Sequence, residues 1–381
     1  MKKNKKFSNI LSSSLVMLLS IAAGFLCGYA IVDYAGKLSA GTFLNFLVLL
    51  SGILLLALAY LLQVLIHEAG HLVFGLISGY EFVSYRIGSF MLSKGTDGKL
   101  SLKRYYLAGT AGQCLMSPPD FEEDGYLPVG LYNMGGVLLN AISAMFFFWA
   151  YYLSGRTVIL PMLFLCLGIL GLTQALVNAL PLELSGIPTD GRNALSLGKD
   201  EKALRAFWIQ LKINQCSSQG QRYRDMPEDW FEISGDDLCS GPLNAALAVF
   251  RSNRLMDMHF LDDAEQLVSR LLSEATIPGL YQNLLKVDSI YLQAIKGQVQ
   301  QPDKALEKFM KAMKNYPAVL RSSYALALAS GDSGKAREYR QHLESLRHSY
   351  PFPGELDSEL ELVELAEQAA AAGSNHSSET V

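Results

Sequence analysis

The residues best suited to chemistry form one short run, His67-Glu68-Ala69-Gly70-His71. On a helix, side chains four residues apart project from one face, so the two imidazoles can bind a single metal ion while Glu68 reaches a water on that ion. Zinc in such a setting lowers the pKa of its water towards neutrality, and the carboxylate can take the proton as the water attacks a carbonyl. A catalytic zinc takes three protein ligands, so a third is required. Asp190 and Glu183 both follow the last apolar run of the chain. Asp190-Gly191 also reads as a plain turn. Cys114 has the chemistry of a soft ligand, although a lone cysteine is more often a packed residue.

The run lies inside an apolar stretch from about Phe43 to Ile77, with others at about Ile10 to Val32, Leu131 to Leu153 and Val158 to Leu180. Each reaches the roughly 20 residues needed to cross the hydrocarbon as a helix. The first has the basic start of a signal peptide, but its length and the lack of a cleavage site favour a span. Ionisable groups in a span are costly unless a partner, a metal or a water cavity satisfies them. Polar contacts between helices would also satisfy His67, Glu68 and His71, but would not favour their spacing. Gln63 stands one turn earlier on the same face. Four spans put both termini on one side. The lysines at the start, with Arg86, Lys94, Lys99, Lys103 and Arg104 between spans two and three, mark that side as cytoplasmic, against Lys37 and Arg156 opposite.

Asn178-x-x-Pro181 followed by Asp190-Gly191, together with the His-Glu-Ala-Gly-His run, resembles the site-2 protease family of intramembrane zinc metalloproteases. Gly135-Gly136-Val137-Leu138-Leu139-Asn140 in span three is similar to that family's glycine-rich segment ending in asparagine. The resemblance covers the membrane half. It implies one catalytic Zn2+ held by His67, His71 and Asp190, with Glu68 as base and Asn140 near the reacting carbonyl. Asn140 could donate to the developing oxyanion, or join Asn133 in an interhelical polar stripe. The chain departs from many relatives in having Thr189 before the aspartate, after a longer loop, and no PDZ domain is evident. The implied activity is cleavage of a peptide bond in or near a transmembrane segment of a membrane protein or peptide. A catalytically inactive membrane anchor displaying a binding scaffold is the alternative.

Between spans two and three, Phe82 to Ile87 and Leu100 to Tyr105 flank a Lys94 to Lys99 turn, which predicts a β-hairpin at the membrane surface. In the family, substrates must present an extended backbone; an extended peptide can pair with a free strand edge, and this hairpin is the candidate edge. The segment from Gly109 to Pro119 reads as a glycine- and proline-rich loop beside it.

Beyond the spans the composition changes to that of a charged, water-soluble domain with amphipathic helical hairpins at about Leu243 to Leu272, Tyr281 to Tyr316 and Val319 to Tyr350. Ala264, Ala305 and Ala336 stand about 41 and about 31 residues apart, where a tetratricopeptide repeat expects about 34. The expected fold is therefore mainly α: a multi-pass membrane helix bundle of about four spans with a membrane-surface β-hairpin, followed by a soluble, tetratricopeptide-like repeat domain. Its domains are 1–191 (membrane-embedded), 192–352 (cytoplasmic helical repeats) and 353–381 (an acidic helix with a disordered tail from Gly373). The expected location is the cell membrane, in contact with the lipid bilayer, and the repeat domain suits a cytoplasmic protein partner. With 32 basic against 36 acidic residues and no basic stripe, nucleic acid is excluded as a partner. The five scattered cysteines imply no disulfide framework.

Overall fold

The computed structural model describes residues 2–37, 41–95, 97–106, 110–121, 125–155, 159–184, 187–233, 241–274, 277 and 279–378. The membrane half supplies α1 (Lys2–Lys37), α2 (Thr42–Ile77), four strands, β1 (Glu81–Ile87), β2 (Phe90–Lys94), β3 (Leu100–Arg104) and β4 (Gly112–Ser117), then α3 (Val129–Leu153) and α4 (Ile159–Ala179). A hairpin of two-residue strands, β5 (Glu183–Leu184) with β6 (Ile187–Pro188), leads to α5 (Asp190–Ser196). The remainder is helical: α6 (Glu201–Ser218), α7 (Pro242–Asp257), α8 (Leu261–Glu274), α9 (Gly279–Ala294), α10 (Lys304–Ala312), α11 (Pro317–Ala329), α12 (Ser333–Ser345) and α13 (Pro353–Ser378).

The chain packs as two compact units. The first joins residues 1–82 to 111–200, and the second joins 83–110 to 201–381. The β1–β3 segment thus groups with the helical domain, where the sequence had suggested a continuous 1–191 block.

In the first unit, α1 to α4 are each long and apolar enough to cross a membrane. Their polarity is inside out. Phe25, Phe43 and Tyr152 are exposed on the outer faces, while Gln63, Asn133 and Asn140 are buried between helices. An exposed apolar belt of this extent is stable against lipid and not against water, which is consistent with a membrane protein. At 36 residues, α2 is about 54 Å long, more than the roughly 30 Å of hydrocarbon. It stops where Gly79 takes φ +82° and the Tyr80 N–H returns to the Gly75 carbonyl, 3.0 Å away.

In the second unit, β1, β2 and β3 form an antiparallel meander, with Arg86 opposite Met91 and Leu92 opposite Leu102. The two strands expected to pair with each other both pair with β2 instead. Arg86 is buried and ties the ends of this segment together, donating to the Gly88 carbonyl at 2.8 Å and to Thr110 Oγ1 at 2.6 Å. Met91 enters the core of the helical domain. The Tyr105 ring packs edge-on against Tyr350 and Phe352, and the Arg104 N–H donates to the Ser349 carbonyl at 3.2 Å.

The three expected helical hairpins form as α7–α8, α9–α10 and α11–α12. Each turns through a left-handed residue just past its first helix, His259, Gly297 and Gly331. Asp303 and Asp332 cap the second helices of the last two, accepting from the backbone N–H groups of Leu306 and Lys335. The alanine equivalence fails at α10: Ala264 and Ala336 are buried, whereas Ala305 is exposed and Leu306 takes the inward place. The α13 helix continues through the segment expected to be a tail as far as Ser378, and residues 379–381 lie outside the described residues.

A buried charge cluster fastens α13. Arg321 on α11 is 1 % exposed; it pairs with Asp288 on α9 at 2.5 Å and approaches Glu359 on α13 at 3.3 Å. Glu355 and Asp257 also face Glu359. One guanidinium cannot hold so many carboxylates ionised. Burial therefore pushes Glu359 up to about 8 and Glu355 up to about 7. These acids hold protons more tightly folded than unfolded, so their contribution to stability is fullest below the unfolded carboxylate pKa and falls as pH rises towards 8. Hydrogen exchange of α13 amides, corrected for intrinsic rates, is expected to show stronger protection near pH 5 than near pH 8. In Glu359→Gln that pH dependence should be reduced.

Candidate metal centre

The α2 and α3 helices cross with their backbones in contact, and that contact sets the centre. A Cβ on Gly70 would stand 2.6 Å from the Gly135 carbonyl carbon, and one on Gly135 would stand 2.8 Å from that of Gly70. The next glycine, Gly136, makes room for a side chain: a Cβ there would fall 2.5 Å from Cε1 and 2.6 Å from Nε2 of His67. Small residues permitting close helix approach are the usual means of packing in a membrane, where burial of apolar surface supplies no drive.

His71 is set by a different device. Its Nδ1 lies 3.0 Å from the Tyr132 carbonyl on α3. A carbonyl only accepts, so Nδ1 carries the proton and the Nε2 lone pair points away from α3. That Nε2 is 3.3 Å from Nε2 of His67.

Asp190 completes the group, with Oδ2 lying 3.1 Å from His67 Nε2 and 3.5 Å from His71 Nε2. The longer loop ahead of it is folded away as the β5–β6 hairpin, in which Glu183 is paired with Pro188. Thr189 pins the base of that hairpin: its hydroxyl donates to the Leu180 carbonyl at 2.6 Å and accepts from the Leu182 N–H at 3.1 Å. Gly191 then lets α5 press onto the end of α4, since a Cβ at that position would lie 2.5 Å from the Ala179 carbonyl carbon. The Asp-Gly pair is therefore the start of a helix docked against α4. The rival carboxylate, Glu183, is turned to Arg192 at 3.1 Å.

The three ligand atoms suit a metal. Ligands at zinc distances of about 2.0–2.1 Å in a tetrahedron stand about 3.3 Å from one another, close to the 3.1, 3.3 and 3.5 Å found here. The Asp190 oxygen nearest both imidazoles is buried and lacks a hydrogen bond of good geometry. Burial would raise the Asp190 carboxyl, but the two imidazoles outweigh it and hold the group well below the usual carboxylate range. The carboxylate is thus in the state that binds a cation. The second nitrogen of His71 already has its backbone partner, the orientation typical of a ligating histidine.

Glu68 lies under β4, in a segment expected to be an irregular loop. A Cβ on Gly112 would come 2.8 Å from Glu68 Cγ and 2.9 Å from Oε1. Cys114 on the same strand is buried and stands outside the ligand group. Burial, and then the nearby Glu68, push its thiol up to about 12, so it remains protonated. Asn140 is fully buried on α3, one turn beyond Gly136, and its amide donates to Gln174 Oε1 on α4 at 3.0 Å. Asn133 bonds within its own helix, to the Val129 carbonyl at 2.7 Å, whereas Asn140 makes the interhelical bond that the polar-stripe alternative foresaw. The sequence reading missed Gln174, although an amide amid the apolar residues of span four was a visible signal. Gly112 carried no signal separable from ordinary turn glycines.

No family model, curated protein or solved structure matches the chain.

Two outcomes are expected from zinc titration of purified protein. Gly136→Ala, which drives a methyl into the His67 ring, should weaken zinc binding by roughly 10- to 100-fold, as for other groups that orient a ligand. Asp190→Asn should also weaken it, whereas Glu183→Gln should leave it within about twofold of the native value.

Proposed function

We propose that this chain is an intramembrane zinc endopeptidase of the site-2 protease type, cleaving a peptide bond in or near a transmembrane segment. The observation that carries this reading is the convergence of His67, His71 and Asp190 at tetrahedral ligand spacing, beside a carboxylate, in a bundle that turns apolar faces outward. A zinc ion held by these residues would supply Lewis acidity for a peptide carbonyl and for a water.

The residues of the chain do the rest. Glu68 accepts a proton from the attacking water as its oxygen bonds to the carbonyl carbon. It then delivers that proton to the departing amine as the C–N bond breaks. Gly112 leaves the space in which the Glu68 carboxylate moves between these partners. Tyr132, through its carbonyl, keeps His71 in the tautomer that offers a lone pair. In this reading the termini and the helical unit are cytoplasmic, and that unit, built on tetratricopeptide-like hairpins, serves as a docking scaffold for a protein partner.

The test compares native protein with Glu68→Ala in liposomes containing a hydrophobic membrane peptide. Native protein is expected to cut the peptide in a zinc-dependent manner, and removal of the general base should lower the rate by roughly 100-fold or more. Equal cleavage by both would contradict the mechanism. No cleavage by the zinc-loaded native chain on any membrane peptide would favour the inactive anchor.

A further inference from the structure

Below the metal centre the bundle carries a line of buried amides and hydroxyls. Gln63 on α2 is complete: its Nε2 donates to the Leu167 carbonyl at 2.8 Å, and its Oε1 accepts from Ser143 at 3.2 Å. The Asn178 amide is spent on the Gln174 carbonyl of its own helix, at 3.0 Å. The pair between them is incomplete. Asn140 Nδ2 and Gln174 Oε1 satisfy each other, while Asn140 Oδ1 and Gln174 Nε2 are buried and have no partner among the described residues. Turning both amides over keeps their mutual bond and again leaves one donor and one acceptor.

Two unsatisfied groups on one buried pair in an apolar bundle are costly unless something binds them. One donor and one acceptor, both uncharged, match the reciprocal N–H and C=O groups of a peptide backbone. A metal would demand a different donor set, and an ion would find no opposite charge on these amides. Resting on the protease reading above, we propose that Asn140 and Gln174 together bind one N–H and one C=O of the substrate backbone. Gln174 is then a substrate-binding residue, and the free acceptor and donor fix the register of the substrate strand.

The position defines which peptide group is held. Asn140 stands one turn of α3 beyond Gly136, against which the His67 ring is packed. Four residues of helix rise about 6 Å, and an extended chain advances about 3.3 Å per residue. For a substrate strand lying along α3, the clamped group is about two residues from the bond that is cut. A helical segment has already spent its own N–H and C=O groups, so the clamp engages only a segment that has unwound there.

An ester scan tests this. A hydrophobic membrane peptide of about 25 residues with a central Gly-Pro break is made with single backbone amides replaced by esters, which removes one N–H at a time. Binding is read in liposomes with zinc-loaded Glu68→Gln protein, and the cut site is mapped with native protein. One ester position, about two residues from the cut, is expected to weaken binding roughly five- to tenfold. In a Glu68→Gln, Gln174→Met double variant the all-amide peptide should bind weaker by a similar factor, and that ester should cost less than about twofold more. Zinc content equal to that of the parent shows that this variant is folded; Gln174→Asn serves in its place if it is not. A scan with no sensitive position, or an undiminished ester penalty in the Gln174 variant, overturns the clamp. Binding without cleavage would defeat the protease reading while the scan still decides the clamp, and absence of peptide binding would overturn both.

Discussion

The α2 and α3 backbones touch at Gly70 and Gly135, and the centre depends on that contact. Because no side chain separates the helices there, the His67 ring lies on Gly136 and the His71 ring reaches the Tyr132 carbonyl. One imidazole is fixed by packing and the other by a hydrogen bond. Their Nε2 atoms meet at 3.3 Å without either ring needing a charged partner on its own helix. The same logic recurs at the other end of the ligand set, where Gly191 presses against the end of α4 and carries Asp190 in. In lipid, where apolar burial does not drive helices together, such close backbone approach is what can hold three ligands to within a few tenths of an ångström.

A second constraint is the cost of polarity in an apolar bundle. Gln63, Asn133, Asn140 and Ser143 all direct their hydrogen bonds to neighbouring groups, and α1 to α4 turn large apolar side chains outward. The incomplete Asn140–Gln174 pair is conspicuous against this background. In the second unit the same principle governs Arg321: burial raises the neighbouring Glu355 and Glu359 carboxyls further than its one guanidinium offsets.

Much of this was legible in the sequence where the signal was local. Four apolar runs became four helices, and residues one turn apart on α2 became neighbours. The helical hairpins followed from amphipathic spacing. What stayed hidden was set by distant contacts. β2 was missed because Phe90 and Leu92 face outward while Ser93 is buried, which masks the usual alternation. Asp190 could not be separated from Glu183 by spacing alone, since the distinction rests on Thr189 pinning a hairpin and on Arg192 drawing Glu183 aside. The alanine register failed at Ala305 because the short α10 turns Leu306 inward instead.

The central claim is a zinc ion on His67, His71 and Asp190, and X-ray absorption at the zinc edge of purified full-length protein addresses it directly. The account predicts one zinc per chain with a first shell of nitrogen and oxygen at about 2.0–2.1 Å, including the outer-shell scattering of two imidazoles, and loss of one oxygen ligand in Asp190→Ala. A first shell containing sulfur at about 2.3 Å, or a spectrum unchanged by loss of Asp190, would contradict it.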